Sequence, residues 1–291
     1  MAKLLTAEEW HKMLPTLKYS LSDCDGVLWN GENPIKGACE CFTKLRALDK
    51  KICYVTNNST KTRQDTMDHC RRLNFVADLK DTYCTAYGTA AHLKTHGVKR
   101  VYLIGSKALR HEIVEQGIEC NELGPDLAAS NWDLLKSIEL GKSVDAVVVG
   151  YDAHFSMAKV CRAASHLLNP HCQFVATNED QWLPTERKDI IVPGTGCIVA
   201  SVQVAANRSP TVIGKPHSPL VELLRREHPD MTPENALFIG DRLNTDIELG
   251  RRQGFRTLLV ETGVHKRTDI DPERPPTYYA ASLNDVLGFM S

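Results

Sequence analysis

Apolar residues in this chain fall into short β-rich runs, separated by longer stretches in which apolar positions recur every three or four residues. The runs at 19–22, 52–56, 101–105, 146–150, 174–177, 211–214, 237–240 and 257–260 have the length and composition of strands. Residues 38–48 place Phe42, Leu45 and Leu48 on one side of a helix, and 220–228 follow the same rule. Gly117 and Gly254 stand where a C-terminal helix cap is expected. Pro34, Pro193 and Pro216 mark loops or helix entries. Strand–helix alternation through most of the chain predicts an α/β fold with a Rossmann-like parallel sheet covered on both faces.

Four of the predicted strands run into polar clusters. The first ends at Asp23-Cys24-Asp25-Gly26, the second at Thr56-Asn57-Asn58-Ser59, a third at Lys215-Pro216 and a fourth at Asp241-Arg242. Ligands of open parallel sheets bind outside the carboxyl ends of the strands. Carboxylates, an ammonium and a hydroxyl–amide cluster are therefore expected on one rim. The stretch between Thr56 and Lys215 is too long for one crossover and carries strands and helices of its own. The expected organisation is a core of residues 1–98 and 210–291 with a second α/β domain, 99–209, inserted in it. An insert at the rim can act as a lid.

Composition narrows the function classes. With 35 basic and 36 acidic residues in 291, the net charge of −1 provides no global field for nucleic acid or an anionic membrane. A small anion would have to be held by local donors. No apolar run approaches the roughly 20 residues of a membrane span, and the N-terminus has no apolar signal core, so a cytoplasmic location is expected. The ten cysteines include no Cys-x-x-Cys pair and the eleven histidines no H-E-x-x-H spacing, which points to reduced thiols and away from zinc. Cys24, between two carboxylates, is expected to be unreactive.

Asp23 and Asp25 lie two apart as a strand ends. Two adjacent carboxylates oppose each other's ionisation, and a hard dication relieves this. Asp23, Asp25 and Asp241 suit Mg²⁺, with Asp246 in an outer ring around the metal or the lysine. Any one of these aspartates alone would read as a helix or turn cap; three at strand ends with Lys215 read as a site. A phosphate monoester needs its charge neutralised before attack. Lys215 and Mg²⁺ supply positive charge, while Thr56, Asn57 and Asn58 offer hydrogen bonds. One carboxylate can act as nucleophile and the other as proton donor and acceptor; the residues themselves leave open which does which.

Asp23-Cys24-Asp25-Gly26-Val27-Leu28, with Thr56, Lys215 and Gly240-Asp241-x-x-x-Thr245-Asp246 in that order, resembles the four motifs of the haloacid dehalogenase (HAD) superfamily of phosphatases. The resemblance implies that Asp23 is the nucleophile and a metal ligand. Asp25 becomes the general acid/base and ligates through its carbonyl, and Asp241 completes the protein's ligands to Mg²⁺. An acid at Asp25 speaks against the dehalogenase branch. Together with V-T-N-N-S and Pro193-Gly194-Thr195-Gly196, the chain is similar to the eukaryotic phosphoglycolate, pyridoxal-phosphate and 4-nitrophenyl phosphatase group. That similarity implies an α/β cap of the C2 type and homodimers formed through it. Gly194-Thr195-Gly196 reads either as a binding loop or as a tight turn opening a helix.

Substrate choice in this group is expected from a cap loop, here 178–184. Its candidate specificity residues are Asp180, Trp182 and Leu183. The pyridoxal-phosphate branch carries a histidine where this chain has Leu183, so the loop looks more like the phosphoglycolate branch. Trp182 departs from that pattern and reads equally as packing, and Arg187 and Lys188 read as a solvated face. The expected activity is hydrolysis of small phosphate monoesters, phosphoglycolate-like or 4-nitrophenyl phosphate, through an aspartyl-phosphate on Asp23. Pyridoxal phosphate or phosphoproteins are the alternative substrates. A non-catalytic phospho-accepting signalling module is the alternative of a different class. It places its acidic pair and its acceptor on separate strands, unlike the D-x-D found here.

Overall fold

A computed structural model describes residues 2–125, 136, 138–183, 187 and 189–290. Contacts divide the chain into two compact units, one of residues 1–56, 64–83 and 215–291, the other of 57–63 and 84–214. The first unit opens with β1 (Lys3–Leu4), β2 (Tyr19–Ser22), a hairpin of β3 (Trp29–Asn30) and β4 (Asn33–Pro34), then β5 (Lys51–Thr56) and β6 (Thr82–Cys84). The second carries β7 (Arg100–Ile104), β8 (Glu119–Cys120), β9 (Ala146–Val149), β10 (Gln173–Ala176), the pair β11 (Trp182–Leu183) and β12 (Val192–Pro193), and β13 (Thr211–Val212). The first resumes with β14 (Ala236–Gly240), β15 (Arg256–Val260) and β16 (Tyr278–Ala280).

The first unit is built on a seven-stranded sheet in the order β1-β16-β15-β14-β2-β5-β6. Its β14–β2, β2–β5, β14–β15, β15–β16 and β1–β16 pairs are parallel. From β2 the chain proceeds outward in one direction through β5 and β6, and later in the other from β14. The switch in strand order therefore falls between β2 and β14, where an α/β sheet opens a crevice. All four residues of β2 and all five of β14 are buried, as expected for central strands covered on both faces. Leu28, Phe42, Tyr54, Leu237 and Ile239 belong to the core cluster of this unit.

The second unit has a five-stranded sheet, β13-β10-β9-β7-β8, with parallel pairs. The period-2 alternation of β7 sends Val101 and Leu103 to one core and Tyr102 and Ile104 to the other. The boundary expected at 99 lies inside this unit, because the helix Thr85–Thr95 buries Ala86, Ala90 and Leu93 with Leu109 and Ile113. The strand expected at 211–214 pairs with β10, not with the sheet that bears Asp23. Lys215 thus follows a strand of the second sheet. An apolar run meets strand requirements in either sheet, and nothing local to 211–214 names its partner. Among the described residues no helix is long and apolar enough to cross a membrane.

Candidate active site

Ser22, the last residue of β2, sits opposite Ile239 of β14. The Asp23 N–H continues the ladder by donating to the Ile239 carbonyl at 2.9 Å. Asp23 and Asp241 therefore leave neighbouring strands at the topological switch. Asp241 is followed by a π-helical turn, Leu243–Ile247, a wide turn frequent at functional sites. It brings Asp246 back so that Asp246 Oδ2 accepts from the Arg242 N–H at 3.0 Å. Gly240 makes room for that return: a Cβ there would lie 2.1 Å from the Cβ of Asp246.

The result is a buried charge cluster. One carboxylate oxygen from each of Asp23, Asp241 and Asp246 falls within 4.8 Å of the other two. Lys215, only 2% exposed, places Nζ 2.7 Å from Asp23 Oδ1 and 2.7 Å from Asp246 Oδ1. The same ammonium donates to the Val55 carbonyl at 3.1 Å. Asp23 Oδ1 also accepts from the Cys24 N–H at 2.7 Å, so two donors orient the carboxylate.

Three carboxylates face one ammonium, and the imbalance appears in the proton affinities. Burial raises the Asp23 carboxyl well above the carboxylate range, Asp246 adds to this, and Lys215 opposes it. Asp241 is pushed up to about 6, first by burial and then by Asp246. Burial pulls Lys215 down, but Asp23 and Asp246 outweigh it and hold the ammonium above its ordinary value. Burial foremost, then Cys70 and Asp23, raises the Cys24 thiol far up, consistent with an inert cysteine.

The donor set fits a hard divalent cation such as Mg²⁺, which prefers oxygen ligands. Asp241 Oδ2 accepts from the Val264 N–H at 2.8 Å, whereas its buried Oδ1 meets no donor among the described residues. An unsatisfied buried anionic oxygen beside two further carboxylates calls for a cation. Two glycines keep the space around Asp241 open. A Cβ at Gly263 would lie 1.9 Å from Asp241 Oδ2, and one at Gly26 (φ +82°) 2.5 Å from the same atom.

The remaining sequence candidates divide between the two units. Asp25 is partly exposed, in the turn after β2, and Thr56 is buried at the carboxyl end of β5. Asn57 belongs to the second unit, where its Nδ2 donates to both carboxylate oxygens of Asp180 at 3.3 Å. The Asn57 carbonyl accepts from Thr85 Oγ1 at 2.7 Å and Asn178 Nδ2 at 2.8 Å. Asn58 Oδ1 closes its own loop on the Thr60 N–H at 2.8 Å. Trp182 is half exposed on β11, which pairs antiparallel with β12 beside Leu183.

The pair Gly194 and Gly196 serves close packing at the start of the helix Thr195–Ala206. A Cβ at either would lie 2.3 Å from the Asp180 carbonyl oxygen or 2.6 Å from that of Glu179. Pro184, Glu186 and Lys188 lie outside the described residues. Sequence reasoning missed the Val55 carbonyl and the Val264 N–H, which are backbone groups without a side-chain signature. It also missed Gly263 and Trp29. The glycine after β15 is a visible turn signal; the tryptophan directly follows the first motif.

Comparison with known proteins places this geometry in a family context. A family model described as haloacid dehalogenase-like hydrolase matches residues 20–119, and a HAD-hydrolase-like model matches 212–286. The chain is 36% identical to glycerol-3-phosphate phosphatase of Rattus norvegicus, over 97% of this chain and 94% of the relative. It is 35% identical to 4-nitrophenylphosphatase of Schizosaccharomyces pombe, over 97% of each. Among solved structures it is similar to glycerol phosphate phosphatase from Mycobacterium tuberculosis in complex with magnesium. That match has a TM-score of 0.78 and 29% identity, and covers 94% of this chain and 77% of the other.

Proposed function

This chain belongs to the haloacid dehalogenase superfamily of phosphatases, and on that premise we propose that it is a Mg²⁺-dependent hydrolase of small aliphatic phosphate monoesters. The observation that carries the reading is the cluster of Asp23, Asp241, Asp246 and Lys215 at the strand-order switch, with Asp241 Oδ1 left without a donor among the described residues. Glycerol phosphate and phosphoglycolate are the substrate types it favours. The first rests on relatives named for it, the second on Leu183 standing where the pyridoxal-phosphate branch has a histidine.

Asp23 attacks the phosphorus, the bond to the ester oxygen breaks, and the phosphoryl group is left as an acyl phosphate on Asp23. Asp25 gives a proton to the departing alkoxide, then takes one from the water that attacks the acyl phosphate and releases inorganic phosphate. Lys215 holds the Asp23 carboxylate and faces the charge that develops on the phosphoryl oxygens. Thr56, at the end of the next strand, donates its hydroxyl to the phosphate, with Asn57 and Asn58 as neighbouring donors. Asp23, Asp241 and the Asp25 main-chain carbonyl would hold Mg²⁺, with Asp246 behind them as partner of Lys215. Bound there, the cation supplies positive charge that offsets the carboxylates and draws charge from the phosphoryl group. Pairing of two copies through the insert completes the proposal and rests on the resemblance alone.

A panel of phosphoglycolate, glycerol 3-phosphate, pyridoxal phosphate and a phosphotyrosine peptide, assayed with Mg²⁺ and with chelator, tests the reading. The expected result is Mg²⁺-dependent release of phosphate with the two aliphatic esters preferred. Pyridoxal phosphate as the best substrate by a wide margin would refute the specificity, and no Mg²⁺-dependent hydrolysis would refute the function.

The metal site has a readout independent of turnover. Asp241 has a folded-state pKa raised to about 6. The metal-free fold therefore loses stability as pH rises through that value, and a bound cation offsets the loss. Mg²⁺ is expected to raise the melting temperature more at pH 8 than at pH 5, the gain at pH 8 being equivalent to about 2.7 kcal/mol at a hundredfold excess over the Kd there. An unchanged melting temperature at both pH values would contradict the site.

A further inference from the structure

On the reading just given, Asp25 carries the proton of both half-reactions. We propose that Trp29 is its positioning residue, an indole N–H that pins one carboxyl oxygen so that the other performs the proton transfer. Trp29 Nε1–H donates to Asp25 Oδ1 at 3.1 Å. An indole nitrogen only donates, so Oδ1 must present a lone pair, and a proton held by Asp25 sits on Oδ2. As the ester P–O bond breaks, Oδ2 gives that proton to the departing oxygen. When water attacks the acyl phosphate on Asp23, Oδ2 takes a proton back, and Asp25 ends as it began.

The donor is held from every side. The Gly26 N–H donates to the Trp29 carbonyl at 2.8 Å, and the Trp29 N–H to the Cys24 carbonyl at 3.3 Å. These bonds close the turn that joins the two side chains, with Asp25 and Trp29 bridged directly. Thr262 Oγ1 donates to the Gly26 carbonyl at 2.6 Å and fixes the same turn from the loop after β15. The indole stacks on His69, with centroids 4.6 Å apart and planes 13° from parallel, and meets the edge of Phe75 at 5.9 Å. At 3% exposure it has little freedom to turn. Burial alone does not enforce such a bond: Trp10 is fully buried, yet its Nε1 meets no acceptor among the described residues. A rigid donor suits a group whose reach to the leaving oxygen must be accurate, since general acid catalysis depends on geometry before proton affinity.

The test compares Trp29→Phe with the parent on two esters. An alkoxide must be protonated as it leaves glycerol 3-phosphate, whereas 4-nitrophenolate leaves as the anion. Because kcat/KM covers only the steps through transfer to Asp23, it isolates the acid's role. For Trp29→Phe it is expected to fall roughly tenfold to a hundredfold on glycerol 3-phosphate and less than about threefold on 4-nitrophenyl phosphate. Asp25→Asn is expected to show the same bias more strongly. Partial unfolding would lower both substrates equally, so the ratio remains diagnostic; equal losses, or none, would overturn the proposal. In a second measurement on the full chain, the indole proton resonance of Trp29 is expected to move upfield in Asp25→Ala, and a fixed resonance would overturn it. If Asp25→Asn discriminates between the esters and Trp29→Phe does not, Trp29 alone loses its role. A parent chain that hydrolyses neither ester would overturn the phosphatase reading and this proposal with it.

Discussion

Asp23→Asn is expected to lower kcat on every phosphate ester by on the order of a thousandfold or more while leaving the protein folded. In the proposed mechanism Asp23 is the nucleophile, so its removal takes away the covalent route itself, and what survives is the residual catalysis of binding and charge. The fold should tolerate the change. Asp23 is buried with its carboxyl raised well above the ordinary range by that burial and by Asp246, so ionising it in the metal-free state works against stability at neutral pH. An amide of the same shape removes that cost, while Lys215 keeps Asp246 as a partner at 2.7 Å. The melting temperature without metal should therefore lie at or above the parent's, and the gain on adding Mg²⁺ should shrink. Measuring kcat on 4-nitrophenyl phosphate alongside a melt decides both. Turnover within tenfold of the parent would remove Asp23 from the nucleophile's role.

Lys215→Met carries the largest expected effect on stability. The ammonium sits between Asp23 and Asp246 by the contacts above, and methionine fills its volume without its charge. Removing one side of a buried ion pair leaves uncompensated charge and typically costs about 3–5 kcal/mol. Three buried carboxylates would then face one another, so they would take up protons more readily. The loss should accordingly be greatest at about pH 8 and smaller at about pH 5, because a carboxyl with a raised folded-state pKa favours the fold below that pKa. Mg²⁺ should restore part of the melting temperature but not the activity, since in the proposed mechanism the lysine also faces the phosphoryl oxygens. A chemical denaturation series across pH reads the effect. Loss of less than about 1 kcal/mol at pH 8 would mean that the pair contributes little to the fold.

The two variants separate what was legible in the chain from what was not. Asp23, Asp25, Thr56, Lys215, Asp241 and Asp246 could all be picked out before any coordinates, because their residue types and their positions after apolar runs are local properties. The strands that carry Asp23 and Asp241 were equally clear: β2 and β14 are continuous buried runs bounded by polar clusters. The strand before Lys215 was also recognised as a strand, yet its sheet was misassigned. Thr211 and Val212 would satisfy any parallel ladder, and only the chain's path through β10 commits them to the second sheet. Short strands such as β1, β6 and β16 escaped notice, since two or three residues are too few for a periodic signal.

The sequence by itself determined the residue types of the candidate site, carboxylates and a lysine after apolar runs, and the order in which they resemble the phosphatase motifs. It determined the α/β class too, since alternating strand and helix periods are written residue by residue. The tertiary structure decided who meets whom. It set β2 beside β14, drew Asp246 back through the π-helical turn, left Asp241 Oδ1 between Gly26 and Gly263 without a donor among the described residues, and aimed the Trp29 indole at Asp25. Strand order, backbone donors and the space beside a glycine are properties of pairs of residues distant in sequence. Their energies exist only once the chain has closed on itself, which is why no local pattern could announce them.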